Sequence, residues 1–270
     1  LEILKNSNLV ESVYTERILH TTLQESVPLI NATQVWSTVT SSGNLTGTGQ
    51  TACVIDTGID YNHQALGGCL GTNCKVKGGI DFINNDFDPD DDNGHGTHVA
   101  GIVAANGNIR GVAPNADLIA TKVCNATGSC PNTAMIAGVD YCISNMNSLG
   151  TDIITMSIGD SGSYTNTNCP NWMNFAINFA NSMDIPITIA SGNNAHKNGI
   201  SYPACSPNAI SVGATYDSNV GFQPWEVCTD STTITDKVVC FTNSGSNLDV
   251  MAPGAVITST TSGTGNNCGA

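Results

Sequence analysis

The strongest constraint on this chain is the alternation that begins at residue 51. Short apolar runs of strand length take turns with longer runs of helical periodicity. That is the pattern of a parallel sheet joined by crossover helices. Residues 51–55, 117–123, 153–157, 185–191, 209–214 and 248–251 are expected strands. Residues 95–105, 132–147 and 172–182 are expected helices. In such sheets functional residues collect at the carboxyl ends of strands. Asp56 and Ser191-Gly192-Asn193 both occupy such ends. No internal repeat is evident, and the Asn/Gly/Ser/Thr-rich stretch from Ser259 reads as loop.

Composition narrows the class. With 270 residues, 40% of them hydrophobic, the chain can bury the core of one large α/β domain. Only 11% of residues are charged, and the net charge is −14. A strongly acidic chain argues against nucleic-acid binding, which wants a basic face. It fits an extracellular protein or one that collects cations. No apolar run approaches the roughly 20 residues of a membrane span. A start at Leu1 rather than Met points to a processed or partial product. Eleven cysteines and the sequons at Asn31, Asn44 and Asn125 fit an oxidising compartment, and with it a secreted glycoprotein. Cys69 with Cys74, Cys124 with Cys130, Cys169 with Cys205, and Cys228 with Cys240 are candidate disulfides. Cys53, inside an apolar strand, and Cys142, inside a helical run, read as buried small residues. The odd count leaves Cys268 as the candidate free thiol. No Cys-x-x-Cys pair suggests a metal.

The chemistry concentrates in two segments. A hydroxyl nucleophile needs a general base, and the base needs a partner that holds its tautomer. Asp56 closes an apolar strand and is followed by Thr57-Gly58, so its carboxylate belongs at the sheet rim. His95 lies between Gly94 and Gly96 at a helix start, which puts its ring at the same rim with little steric cover. The order and wording of Val54-Ile55-Asp56-Thr57-Gly58 and Asn93-Gly94-His95-Gly96-Thr97-His98-Val99-Ala100-Gly101 resemble the Asp and His motifs of the subtilisin family of serine proteases.

The resemblance covers most of residues 27–262. It implies a subtilisin-like three-layer α/β fold, with a central mostly parallel sheet flanked by helices and its C-terminal part missing. It implies an extracellular serine endopeptidase acting on peptide or protein substrates, with His95 as base then acid, Asp56 as its orienter and Asn193 in the oxyanion hole. Asn193 follows Ala190-Ser191-Gly192 at a strand end, as the family's oxyanion Asn does, and the resemblance makes Ala190, Ser191 and Gly192 substrate-binding residues as well. Ser157-Ile158-Gly159 and Gly128-Ser129 resemble the segments between which a substrate strand is added, although either also reads as a simple loop. The family's third motif, Gly-Thr-Ser-Met-Ala, does not occur in residues 1–270, and Ser259 and Ser262 lack its context. The expectation is therefore a nucleophile on a missing segment or companion chain, with this chain inactive alone. The alternative is a non-catalytic binding or scaffold module of the same fold.

Two further segments carry expectations. Residues 81–92 crowd carboxylates that repel unless solvated or bridged. They read as a solvated acidic loop, or, by resemblance to thermitase-like relatives, as a calcium loop with Asp81, Asn84, Asp86, Asp88 and Asp90 as ligands. His98, three residues after His95, lacks the zinc-peptidase pattern and is expected to be packed or hydrogen-bonded behind the site. Residues 1–25 resemble the end of a propeptide, with residues 26–270 as the peptidase domain. An ordinary N-terminal extension is the other reading.

Overall fold

The computed structural model describes residues 23–41, 43–263 and 266–269. Seven strands form one sheet: β1 (Thr51–Asp56), β2 (Val76–Asp81), β3 (Asp117–Lys122), β4 (Thr151–Met156), β5 (Ile187–Ala190), β6 (Ile210–Thr215) and β7 (Val250–Pro253). Their spatial order is β7-β6-β5-β4-β1-β3-β2, and every pairing is parallel. The helices are α1 (Leu23–Leu29), α2 (Ala32–Trp36), α3 (His95–Ala104), α4 (Asn132–Ser144) and α5 (Asn174–Ser182). A hairpin of β8 (Ile257–Thr260) and β9 (Asn266–Gly269) follows the sheet, where the sequence read as loop.

Strand β1 shows why the layers are three. All six of its residues are buried, so it is covered on both faces, as parallel strands must be. Side chains alternate between faces. Cys53 and Ile55 join the core under α4 and α5, with Val139, Cys142 and Ile177. Ala52 and Val54 join a second core under α3, with Ala100 and Ala104. The six expected strands are present with shifted ends. Residues 185–191 shorten to Ile187–Ala190, and residues 248–251 move to Val250–Pro253. The seventh, β2, was hidden by its composition. It is an edge strand whose inner residues are only half-buried, and Lys77, Gly78 and Gly79 break its apolar pattern.

The four expected cysteine pairs are disulfides: Cys69–Cys74, Cys124–Cys130, Cys169–Cys205 and Cys228–Cys240. The reading of Cys53 and Cys142 as separate buried thiols is corrected, because they form a fifth, with Cα atoms 6.0 Å apart. The alternation along β1 turns Cys53 onto the face that α4 covers, which brings the two sulfurs together. The side chain of Cys268 lies outside the described residues, as do residues 1–22 of the expected tail. Helix α1 spans the expected boundary at residue 25, with Leu23 and Val27 buried in the second core.

The chain runs from β1 out to the edge at β2, returns to β3 beside β1, and then crosses to β4 on the other side of β1. This reversal leaves a crevice at the carboxyl ends of β1, β3 and β4, where open α/β sheets place their sites.

The Cys53–Cys142 bridge closes a separation of 89 residues and ties the central strand to its covering helix. Replacing both with Ala should lower the unfolding free energy by about 2–5 kcal/mol, read from a denaturant melt. Peptide mapping without reductant that finds the two thiols free would remove this bridge.

Candidate active site

Asp56 ends β1 and His95 begins α3. The two meet at that crevice, with His95 Nδ1 2.7 Å from Asp56 Oδ1. The Thr57 amide donates to the same carboxylate oxygen at 2.7 Å. Asp56 is 1% exposed, whereas the His95 side chain is 46% exposed. The hydrogen bond to Asp56 raises the His95 pKa, burial opposes it, and the negative charges of Asp56 and Asp91 add to the rise. Asp56 Oδ2 is buried without a hydrogen-bond partner among the described residues.

Local geometry delivers the histidine. Gly94 precedes the helix at φ 105°, a left-handed conformation that suits glycine. A Cβ at Gly96 would collide with the Gly58 carbonyl, so only glycine lets the first turn of α3 rest on the Asp56 turn. One carboxylate ties these pieces together. Asp91 Oδ1 accepts from the Thr57 hydroxyl, the Asn93 amide and the Gly94 amide, at 2.8, 3.0 and 2.9 Å. Its Oδ2 accepts from the Thr97 amide and hydroxyl, at 2.9 and 2.6 Å. The Thr57 hydroxyl in turn accepts from the Gly96 amide at 2.8 Å. Burial pushes the Asp91 pKa up, but the hydrogen bonds from Gly94, Thr97 and Asn93 outweigh it and leave the carboxyl below its usual range. Asp91 was missed in the sequence, where it was one more acid in a crowded run. An Asp three residues before a helix-opening glycine was the available signal.

Asn193 is exposed on a groove of about 670 Å³ that His95 also lines, together with Ala190, Ser191 and Gly192. The loop that carries it is wrapped around Asn243, which is fully buried. Asn243 Oδ1 accepts from the Asn194 and His196 amides, at 2.9 and 3.0 Å, and its backbone amide donates to the Gly192 carbonyl at 2.8 Å. Ser191 is turned inward, its hydroxyl donating to the Asn243 carbonyl at 2.9 Å. No pattern in the sequence marked Asn243.

Ser157, Ile158 and Gly159 follow β4 and line both this groove and an adjoining cleft of about 590 Å³. The cleft also touches Asp56, His95, Gly128, Met135, Trp172 and Tyr202. Its far wall is the turn closed by Cys124–Cys130, braced by Asn125 Oδ1, which accepts from the Thr127 and Ser129 amides. Gly128 and Cys130 line the cleft. Ser129 is exposed, and its carbonyl accepts from the Asn125 amide at 3.0 Å.

The expected calcium ligands do not converge. Among the described residues no three His, Cys, Asp or Glu side chains form a group that could hold a metal ion. Asp81 Oδ1 accepts from the Ile83 and Asn84 amides, and its Oδ2 from the Asn84 side chain at 2.8 Å. Asp86 accepts from the Asp88 amide, and Asp88 from the Tyr61 hydroxyl at 2.7 Å. Burial first, and then the charges of Asp60, Asp88 and Asp91, hold the Asp90 pKa above its usual value despite a backbone hydrogen bond from Asp91. The loop answers its crowding with its own donors, Asp81 bonding to Ile83 and Asn84 and Asp86 to Asp88. His98 lies behind the site as expected, its Nε2 3.1 Å from the Ile257 carbonyl.

The raised His95 pKa has a signed consequence. A folded pKa above the unfolded one stabilises on the acid side of ordinary imidazole titration, and that contribution fades as pH rises through the folded pKa. The melting-temperature gap between wild type and Asp56→Asn should be widest at the acid end and narrow across that window. A gap independent of pH would mean that the contact adds no proton linkage.

The Subtilase family profile matches residues 47–269 of this chain. The minor extracellular protease Vpr of Bacillus subtilis is 38% identical over 72% of this chain and 23% of its own length. Subtilisin E of Bacillus subtilis is 34% identical over 96% of this chain and 60% of its own length. Thermitase of Thermoactinomyces vulgaris is 34% identical over 86% of this chain and 70% of its own length. The chain thus spans only part of several relatives that it matches. A solved structure of a cold-adapted subtilisin-like serine proteinase superposes with a TM-score of 0.64 at 31% identity, covering 84% of this chain and 71% of that one. With the profile spanning most of the sequence and the sheet, helices and Asp–His contact in place, the chain belongs to the subtilase family.

Proposed function

We propose that this chain carries the acid–base half of a serine endopeptidase site. The observation that carries the reading is the 2.7 Å contact between His95 Nδ1 and a buried Asp56, with the ring opening on a substrate-sized cleft. In this reading Nδ1–H donates to Asp56, which holds the tautomer, and Nε2 takes the proton of a hydroxyl nucleophile and returns it to the leaving amine. The Asn193 amide donates to the oxyanion. Losing one such donor costs about 10²–10³-fold in kcat, a scale set by a subtilisin. Ser157 to Gly159 on one side, and the Gly128–Ser129 turn on the other, receive the substrate as an added strand.

The nucleophile comes from a segment outside these 270 residues. The groove beside His95 suits a helix bearing it, because Val99, Ile102, Val103, Val212, Ala214 and Ala252 give it apolar walls. The boundary near residue 25 is kept as the junction between a processed tail and the peptidase domain. Five disulfides and a relative named as extracellular favour secretion. No helix of the described residues is long and apolar enough to cross a membrane.

A fluorophosphonate probe tests the reading. The complete protein should be labelled at a serine outside residues 1–270, His95→Ala should abolish labelling, and this chain alone should not react. The mass of the labelled species tells whether the segment is continuous with this chain or a separate fragment. A complete protein that resists the probe would favour a binding module. Calcium held by Asp81, Asn84, Asp86, Asp88 and Asp90 is what the resemblance implies for this loop. A melting temperature that rises with added calcium, and no longer does so in Asp81→Asn, would place an ion there. An unchanged melt would remove it.

A further inference from the structure

Lys122 is the last residue of β3 and is 1% exposed, in a chain with 8 basic residues against 22 acidic ones. Burying an ammonium is costly unless its protons find partners. All three protons do. Nζ donates to the Thr57 carbonyl at 2.7 Å, the Cys124 carbonyl at 3.0 Å and Asp92 Oδ1 at 2.5 Å. These acceptors belong to different parts of the site. Thr57 follows Asp56 and donates to its carboxylate. Asp92 lies in the loop that leads to His95. Cys124 opens the disulfide-closed turn that walls the cleft. The same turn is pinned to the strand end, since the Val123 and Cys124 amides both donate to the Asp56 carbonyl.

We propose that Lys122 is a positioning residue that sets the Asp56 turn, the His95 loop and the substrate-side wall in one geometry. An apolar side chain cannot hold three oxygens around one atom. It would also leave the Thr57 and Cys124 carbonyls without this donor. The catalytic consequence rests on the peptidase reading above, but the geometric claim does not.

The test follows the Nδ1-bound proton of His95 by NMR in the complete protein. Lys122→Met should abolish or broaden that resonance well below the variant's own melting midpoint. Lys77→Met, which breaks a surface pair with Asp117, should leave it intact. A Lys122→Met protein that melts lower yet keeps the resonance unchanged would overturn the proposal. If that variant does not fold, Asp92→Ala decides, because this side chain is 47% exposed and its removal takes away one acceptor while the lysine stays in place. A weakened resonance supports the proposal and an unchanged one ends it. In the complete protein, Lys122→Met should lower kcat about tenfold or more with a smaller change in KM. An inactive wild type would sink the peptidase reading and leave the NMR result standing.

Discussion

The end of β1 and the start of α3 have to approach so closely that backbone meets backbone, and much of the site follows from that contact. Gly96 permits it by offering no Cβ to the Gly58 carbonyl. Asp91 holds it by accepting from both sides, from Thr57 of the strand turn and from Gly94 and Thr97 of the helix. The first amides of a helix lack partners within it. A buried carboxylate that satisfies them gains charge-assisted hydrogen bonds, and those bonds keep it ionised against the cost of burial. The 2.7 Å spacing of Asp56 and His95 is therefore inherited from a scaffold one shell farther out.

The sheet supplies rigidity behind this contact. Strand β1 is flanked by β3 and β4 and buried on both faces, so its carboxyl end cannot shift without disturbing two cores. The Cys53–Cys142 bridge fastens it to α4 as well. On the far side of the groove, Asn243 does for the Asn193 loop what Asp91 does for the histidine. It fills the backbone donors of a loop that would otherwise be free to wander. The order of the strands brings these supports to one pole of the molecule.

Much of the fold was legible in the sequence, and for a physical reason. A buried strand must be apolar throughout, and a covering helix must be apolar on one side, so the alternation of periods announces the layers. Edge strand β2 escaped because it has a neighbouring strand of the sheet on one side only, which relaxes the demand for apolar residues. Hairpin β8–β9 escaped because Thr, Ser and Asn compose it. Asp56, His95 and Asn193 stood out through their neighbours, since glycine beside a histidine, or an asparagine after a strand, is a local signal. In the acidic loop the residues alone left a solvated loop open and only the resemblance implied calcium; there Asp81 bonds to amides of its own loop.

By itself the sequence determined the alternating α/β layers, the places of six of the seven sheet strands, four of the five disulfides among the described residues and the two residues, Asp56 and His95, that meet at the crevice. Each of these is written in residues near one another, or in spacings that chain geometry converts directly into contact. Only the tertiary structure decided that Asp91 would bind Thr57 across 34 residues, that Lys122 would reach back 65 residues to the Thr57 carbonyl, and that Cys53 would meet Cys142 across 89. Such partners are chosen by the order of strands in the sheet and by the face on which a helix packs. Those choices come from burying many side chains at once, so no single stretch of sequence encodes them.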